Sequence, residues 1–148
     1  MLSQNDNRKL TETGPSTPMG NLFRNFWLPA LLVEELPAPD CPPKHIDILG
    51  EPLLAFRDSN NKVGIIDRRC PHRGADLYYG RNEECGLRCV YHGWKFDVNG
   101  NCIELPTAPE GSVFKEKIKL TAYKTRELAG FIWVYMGSLV QKLPEIPK

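Results

Sequence analysis

The segments Cys70-Pro71-His72-Arg73-Gly74 and Cys89-Val90-Tyr91-His92-Gly93-Trp94 decide how this chain folds. Each segment offers one thiol and one imidazole, and each is closed by a glycine shortly after its histidine. We predict that both segments are short loops. The residues between them are sufficient for one excursion of strand structure that brings the second loop beside the first.

Two cysteines and two histidines in this order suit a [2Fe–2S] centre of the Rieske type. In such a centre one iron takes two thiolates and the other takes two imidazoles. With neutral imidazoles the oxidised cluster carries no net charge, whereas four thiolates would leave it negative. The neutral cluster accepts an electron more easily, because it repels the added negative charge less. Rieske centres accordingly have potentials from about −150 mV upward, against about −400 mV for plant-type four-cysteine clusters. The candidate metal ligands are Cys70, His72, Cys89 and His92.

Two simpler readings compete with this interpretation. Zinc also binds two cysteines and two histidines, but its structural sites usually begin with a cysteine pair and end with a histidine pair. Here each loop mixes one cysteine with one histidine. The second alternative is a chance grouping of buried thiols and core histidines, which requires both spacings and both glycines to coincide.

Length and composition fit one globular domain. A chain of 148 residues buries about 70% of the surface of its unfolded state, which is sufficient for one core. The formal net charge of +1 is spread without blocks, so we expect no nucleic acid and no membrane as partners. The first ten residues lack the apolar core of a signal peptide. The longest apolar run, residues 128–140, is too short for a membrane span. We therefore expect a cytoplasmic protein.

Three of the five cysteines fall outside the two loops. Cys41, Cys85 and Cys102 are scattered along the chain, and their spacing does not suggest a disulfide framework. None of the three has a partner residue at the sequence spacing that is typical of a metal site. We predict that all three are passive thiols.

Outside the loops the sequence predicts β structure. Thirteen prolines and twelve glycines indicate many turns, and Asn99-Gly100 is the strongest hairpin signal. Short strands are predicted at 31–36, 45–49, 53–57, 63–67, 86–88, 94–98, 102–105, 118–125 and 130–136. This spacing favours an all-β fold, a small Rieske-type β-sandwich or barrel with two cluster-binding loops.

The N-terminal region is predicted to contain two different segments. Residues 1–17 are polar and are expected to be mobile. Large apolar side chains then recur at helical spacing at Leu22, Phe23, Phe26 and Trp27. We expect a short helical arm there, ended by Pro29, that docks onto another surface. Residues 18–148 are predicted to form a single Rieske [2Fe–2S] domain.

The loops and the arm together resemble a known family. Cys70-Pro71-His72-Arg73-Gly74 with Cys89-Val90-Tyr91-His92-Gly93-Trp94 resembles the Rieske domain of aromatic ring-hydroxylating oxygenases. The arm Gly14-Pro15-Ser16-Thr17-Pro18-Met19-Gly20-Asn21-Leu22-Phe23, with Trp27-Leu28-Pro29-Ala30-Leu31-Leu32, is similar to the phthalate and phenoxybenzoate dioxygenase oxygenase subunits. The resemblance covers nearly all residues from Thr13 onward.

The resemblance implies roles for particular residues. It places Cys70 and Cys89 on one iron, and His72 and His92 on the other. It also implies that backbone amides of both loops hydrogen-bond the sulfurs, and that the histidine side of the cluster lies nearer solvent. The residues implied beside the cluster are Arg73, Gly74, Tyr91, Gly93 and Trp94.

The chemistry of the resembled family needs more than this chain supplies. Those oxygenases bind a mononuclear non-haem iron on two histidines and a carboxylate in a further domain. Only three histidines are present, so only His45 remains after His72 and His92 are used. We interpret His45 as an ordinary surface or edge residue. The chain is therefore expected to carry electrons without activating dioxygen, as part of a protein whose catalytic mononuclear-iron domain is absent.

Two functions remain open from the sequence. The first is the electron-transfer domain of a multicomponent aromatic oxygenase active in aromatic compound catabolism, with a flavin or iron–sulfur reductase or a ferredoxin as donor and the oxygenase catalytic domain as acceptor. The second is a self-standing Rieske-type ferredoxin that shuttles electrons. The arm at 18–32 favours the first, since it suits docking onto a missing domain. An oligomer is expected only with the full-length oxygenase.

Overall fold

The computed structural model describes residues 1–109, 112–138 and 145, and its regular structure is mainly β-sheet. Two short helices come first, α1 (Gln4–Thr11) and α2 (Pro18–Phe23). Single 3₁₀ turns occur at Val33–Glu35, Leu77–Tyr79 and Phe114–Lys117. The strands are β1 (Trp27–Leu32), β2 (Lys44–Ile48), β3 (Glu51–Arg57), β4 (Val63–Asp67), β5 (Arg81–Glu83), β6 (Gly86–Arg88), β7 (Lys95–Phe96), β8 (Cys102–Glu104), β9 (Ala122–Leu128) and β10 (Phe131–Tyr135).

The strands form two antiparallel sheets. The larger has the order β1-β10-β9-β4-β3-β2, and the smaller has the order β5-β6-β7-β8. The two end strands of the larger sheet, β1 and β2, also contact each other, so that this sheet nearly closes into a barrel. The predicted all-β class, with a small sandwich or barrel, is confirmed.

Strand β3 contributes to two hydrophobic cores, one on each of its faces. Leu54 and Phe56 point into a core shared with the smaller sheet and with the two loops, whereas Leu53 and Ala55 point into the interior of the larger sheet. Successive side chains of a strand alternate between the two faces of the sheet. The unbroken apolar run in β3 is therefore the pattern of a strand that is buried on both sides.

The strand predicted at 31–36 begins earlier than expected. Strand β1 starts at Trp27 and contains Pro29, which the sequence suggested only as the end of a helix. β1 is an end strand of its sheet, and its register with β10 shifts between Pro29 and Leu31. Proline lacks a backbone N–H and is tolerated at such irregular edge positions. The strand also ends earlier than predicted, at Leu32, and residues 33–35 form a 3₁₀ turn.

The N-terminal segment contains a helix that the sequence did not predict. In α1 the Ser3 side chain accepts a hydrogen bond from the Asp6 backbone N–H at 3.1 Å, which is an N-cap arrangement. No residue of α1 is buried. The predicted mobility of residues 1–17 stays a prediction.

The apolar side chains of the arm divide into two groups. Trp27 is buried, and its ring lies 5.7 Å from that of Tyr135. Leu22, Phe23 and Phe26 remain exposed on and after α2. The predicted helix is therefore present, but within the described residues most of its apolar surface is not covered.

The hairpin predicted at Asn99-Gly100 connects β7 and β8. Asp97 stabilises the turn, since its Oδ1 accepts hydrogen bonds from the backbone N–H groups of Asn99 and Asn101 at 2.9 and 2.8 Å. Gly100 has a φ of +77°, a conformation that glycine adopts without steric cost.

Some sequence predictions concern positions outside the described residues. These are residues 110–111 between the strands predicted at 102–105 and 118–125, residues 139–140 at the end of the apolar run, and residues 141–144 and 146–148 of the predicted domain. Among the described residues, no helix combines the length and the apolar character needed to cross a membrane.

A buried arginine joins β3 to distant parts of the larger sheet. Arg57 is 4% exposed and donates to the Leu36 carbonyl at 2.7 Å. Its guanidinium also forms a two-point pair with Glu127 at 2.8 and 3.0 Å. Such a pair combines charge with fixed geometry.

We predict that Arg57→Met lowers the free energy of unfolding by about 2 kcal/mol, because it leaves a buried carbonyl and a carboxylate without their donor. The control is Arg81→Met, which removes a side chain that is 67% exposed and pairs with the Glu83 carboxylate at the surface. That change should stay within about 0.5 kcal/mol. Chemical denaturation of both variants measures the difference, and equal losses would contradict the prediction.

Candidate metal centre

The two predicted loops have the same backbone arrangement. In the first, the Cys70 N–H donates to the Ala75 carbonyl at 2.9 Å, and the Gly74 N–H donates to the Cys70 carbonyl at 2.8 Å. In the second, Cys89 N–H donates to the Trp94 carbonyl at 2.8 Å, and Gly93 N–H to the Cys89 carbonyl at 3.0 Å. Both glycines have positive φ angles, +69° and +74°. Each loop is thus a closed backbone ring with its cysteine at the start.

The fold brings the two cysteine thiols together in the core. Cys70 and Cys89 are only 2% and 3% exposed, and their thiols interact directly. Backbone N–H groups of His72 and Arg73 donate toward the Cys70 sulfur. Burial, together with the neighbouring Cys89, raises the pKa of the Cys70 thiol to about 11. Burial therefore disfavours the thiolate, and a metal ion would supply the positive charge that compensates for it.

The two imidazoles meet nearer the surface. The rings of His72 and His92 lie 4.6 Å apart, and both residues are half-buried. The Nδ1 atom of His72 is shielded from solvent and has no hydrogen-bond partner among the residues that the structure describes. Desolvation, with the nearby His92 and Arg73, lowers the pKa of His72. The neutral imidazole that results is the form that binds metals.

The four side chains are arranged as two pairs. Within residues 1–109, 112–138 and 145, no three His, Cys, Asp or Glu side chains converge as ligands of a single metal ion. A mononuclear zinc site needs at least three such ligands. A two-iron cluster needs only two protein ligands on each iron. A thiol pair beside an imidazole pair, with one buried ring nitrogen lacking a partner, fits a [2Fe–2S] cluster of the Rieske type.

Aromatic side chains enclose the imidazole pair. The Trp94 ring is parallel to that of His72 within 5°, at 4.4 Å. Its Nε1 donates to the Thr107 hydroxyl at 2.9 Å, a partner that the sequence did not indicate. The Tyr91 ring lies 4.0 Å from that of His92 and is largely exposed. Trp94 and Tyr91 therefore lie beside the two imidazoles, and their place beside a cluster stays a prediction.

Arg73 contacts the thiol pair through its backbone. The residue is exposed, and its backbone N–H points toward the Cys70 sulfur. The corresponding expectation for amides of the second loop stays a prediction.

His45 lies on β2, an end strand of the larger sheet, which agrees with its interpretation as a surface or edge residue. It also has specific contacts. Its Nε2 is 3.2 Å from Asp76 Oδ1, and its ring stacks on Tyr78 at 4.2 Å. Asp76 in turn is 3.3 Å from the Arg68 guanidinium. These contacts secure the segment that follows the first loop, and they depend on residues far apart in the sequence.

The other three cysteines have surroundings that differ from one another. The Cys85 sulfur is 3.0 Å from the Asn60 amide nitrogen, and Cys41 is half-buried beside the larger sheet's core. Cys102 is packed in the same core as Cys70, and burial raises the pKa of its thiol. All three are free cysteines.

Paired thiols and paired imidazoles on two matched loops of a small β-barrel define a class of iron–sulfur proteins. This chain belongs to the Rieske [2Fe-2S] domain family, which it matches over residues 26–126. Membership implies a Rieske-type [2Fe–2S] cluster as its cofactor.

The relatives are oxygenase subunits. The chain is 47% identical to the 3-chlorobenzoate-3,4-dioxygenase oxygenase subunit of Comamonas testosteroni, over 100% of this chain and 34% of that protein. It is 48% identical to the phthalate 4,5-dioxygenase oxygenase subunit of Pseudomonas putida, over 93% of this chain and 31% of that protein. The structure of dicamba monooxygenase bound to dicamba matches with a TM-score of 0.74 and 31% identity, covering 84% of this chain and 36% of that one. The chain thus spans about a third of the length of these relatives.

We predict that replacing the three remaining cysteines together, as Cys41→Ser, Cys85→Ser and Cys102→Ala, leaves the cluster intact. Alanine is used at Cys102 because a hydroxyl there would be buried. The visible absorption spectrum and the iron content of the triple variant should equal those of the original chain. Loss of colour or iron would mean that one of the three is a ligand.

Proposed function

We propose that this chain is the electron-transfer part of a multicomponent aromatic ring-hydroxylating oxygenase, with its cluster bound by Cys70, Cys89, His72 and His92. The observation that carries the proposal is the meeting of a buried thiol pair with a half-buried imidazole pair on two matched loops. When bound, a Rieske cluster accepts and releases one electron at a time.

The four candidate ligands would hold the cluster from two sides. The buried cysteines would bind its inner side in the apolar core. The half-buried histidines would bind its outer side near exposed Val90 and Tyr91, so the imidazole side would be the shorter path for an electron to and from a partner. Trp94 fixes the plane of His72, and Gly74 and Gly93 allow both loops to turn.

The proposed donor is a flavin or iron–sulfur reductase or a ferredoxin, and the proposed acceptor is the catalytic domain of the oxygenase. Two facts support these partners. The relatives are named oxygenase subunits, and they are about three times as long as this chain. A cytoplasmic location, and oligomers formed only with the full-length oxygenase, are part of the same proposal.

The first test replaces a ligand on each side of the cluster. We predict that Cys70→Ser and His92→Ala lose most of the iron and sulfide, because the loops are held together by the metal that they share. The change should appear in iron and sulfide analysis and in the visible spectrum. The control is His45→Ala, which removes the only other histidine and should keep the full cluster content. A full complement in either ligand variant would refute the assignment.

The second test separates electron transfer from oxygenation. We predict that the chain takes up one electron per cluster from a reductase and forms no hydroxylated product. Its only histidine outside the cluster is His45, whereas a mononuclear iron site of the resembled kind needs two histidines and a carboxylate. The assay is anaerobic reduction, then addition of oxygen with aromatic acids, then mass spectrometry. Hydroxylated product would show a catalytic site that this account lacks.

A further inference from the structure

An arginine precedes the cysteine of each loop and reaches across to the glycine that closes it. Arg69 donates from its guanidinium to the Gly74 carbonyl at 3.4 Å. Arg88 donates in the same way to the Gly93 carbonyl at 3.2 Å. The spacing from arginine to glycine is five residues in both loops. The pattern Arg-Cys-x-x-x-Gly therefore recurs as the same contact in space.

The two arginines differ in how firmly they are held. The Arg69 side chain is 53% exposed, and its carboxylate neighbour, Asp76, lies 3.8 Å away. The Arg88 side chain is only 14% exposed and contacts three carboxylates, those of Glu83 at 2.6 Å, Glu104 at 2.8 Å and Glu84 at 3.4 Å. A guanidinium held by several carboxylates loses little further conformational entropy when it also binds a carbonyl.

Buried Lys95 strengthens this ion network. Its side chain is 3% exposed, and its ammonium group contacts Glu84 at 3.0 Å and also Glu104. Two strands of the smaller sheet, β6 and β7, thus supply the two cations, and β8 supplies Glu104. Arg88 connects this ion network to the loop between β6 and β7, because it also donates to the Gly93 carbonyl.

The glycine carbonyl has a different relation to the histidine in each loop. Gly93 follows His92 directly, so a bond to the Gly93 carbonyl constrains the backbone beside the His92 side chain. Gly74 is separated from His72 by Arg73. Loss of the hydrogen bond from Arg88 to the Gly93 carbonyl should therefore move His92. Loss of the hydrogen bond from Arg69 to the Gly74 carbonyl should move His72 less.

We propose that Arg88 is a positioning residue for His92, linking the ion network of the smaller sheet to the imidazole side of the cluster. The proposal rests on the ligand assignment given above. Arg88 contacts neither iron in this account, and it acts through the Gly93 carbonyl. Arg69 makes the corresponding but weaker contact in the first loop.

The test compares four variants of the full chain after cluster assembly: Arg88→Gln, Arg88→Lys, Arg69→Gln and Arg81→Gln. Arg81 is the matched control, because it shares the Glu83 carboxylate but, within the described part of the chain, does not contact a loop carbonyl. The readouts are the EPR g-values of the reduced cluster, the rate of iron release to a chelator and the melting temperature. Loss of a residue that orients a metal ligand typically costs about 10–100-fold in metal affinity or activity.

We expect Arg88→Gln to shift the g-values and to release iron at least about tenfold faster. Arg69→Gln should show a smaller change, and Arg81→Gln should match the original chain. Arg88→Lys keeps the positive charge among the carboxylates but lacks the planar fork that reaches the carbonyl as well. It should therefore recover most of the thermal stability while its g-values stay shifted.

Original g-values and iron-release rates in Arg88→Lys would overturn the proposal, whether or not Arg88→Gln folds. An equal change in Arg81→Gln would also overturn it, since the effect would then come from the ion network as a whole. Failure of the ligand assignment is distinguishable, because His92→Ala would then keep its full content of iron and sulfide.

Discussion

The burial of two thiols side by side is the constraint on which the rest of this structure depends. Cys70 and Cys89 lie in an apolar core that raises the pKa of the Cys70 thiol to about 11. Ionising such a group without a nearby positive charge is unfavourable. Under the proposed assignment, iron supplies that charge, and the cluster and the core therefore stabilise each other. The backbone N–H groups directed at the Cys70 sulfur add to the same stabilisation.

The scaffold holds this pair by placing the loops on different elements of one core. The first loop follows β4 of the larger sheet, and the second connects β6 and β7 of the smaller sheet. Side chains from both sheets, among them Phe56 and Phe96, pack in the core that contains the thiols. The imidazoles lie at the outer edge of that core, between Trp94 and Tyr91. The thiol side of the site is thus buried in the core, and the imidazole side lies closer to the surface.

The sequence predicted those features whose determinants are local. The two loops are marked by cysteine, histidine and glycine at fixed spacing, and the hairpin after β7 by Asn99-Gly100. The all-β class followed from short apolar runs between turns. Helix α1 was missed because Leu10 is its one apolar residue, so no apolar periodicity indicates it.

Features that depend on distant partners could not be read from the sequence. Pro29 lies in a strand because β1 is an end strand with a register shift, which only the tertiary arrangement defines. Thr107 meets Trp94 because a later loop folds back over the site. The role inferred for Arg88 depends on carboxylates from neighbouring strands, although the repeated Arg-Cys pair was a visible signal.

The most direct test of the central claim is pulsed EPR of the reduced chain, prepared once with natural histidine and once with ¹⁵N-labelled histidine. Two imidazole nitrogens bound to one iron predict two strong nitrogen couplings that change with the label. The couplings should come from His72 and His92, so His45→Ala must leave them unchanged. A [2Fe–2S] signal without strong histidine coupling, or no iron–sulfur signal at all, would contradict the account.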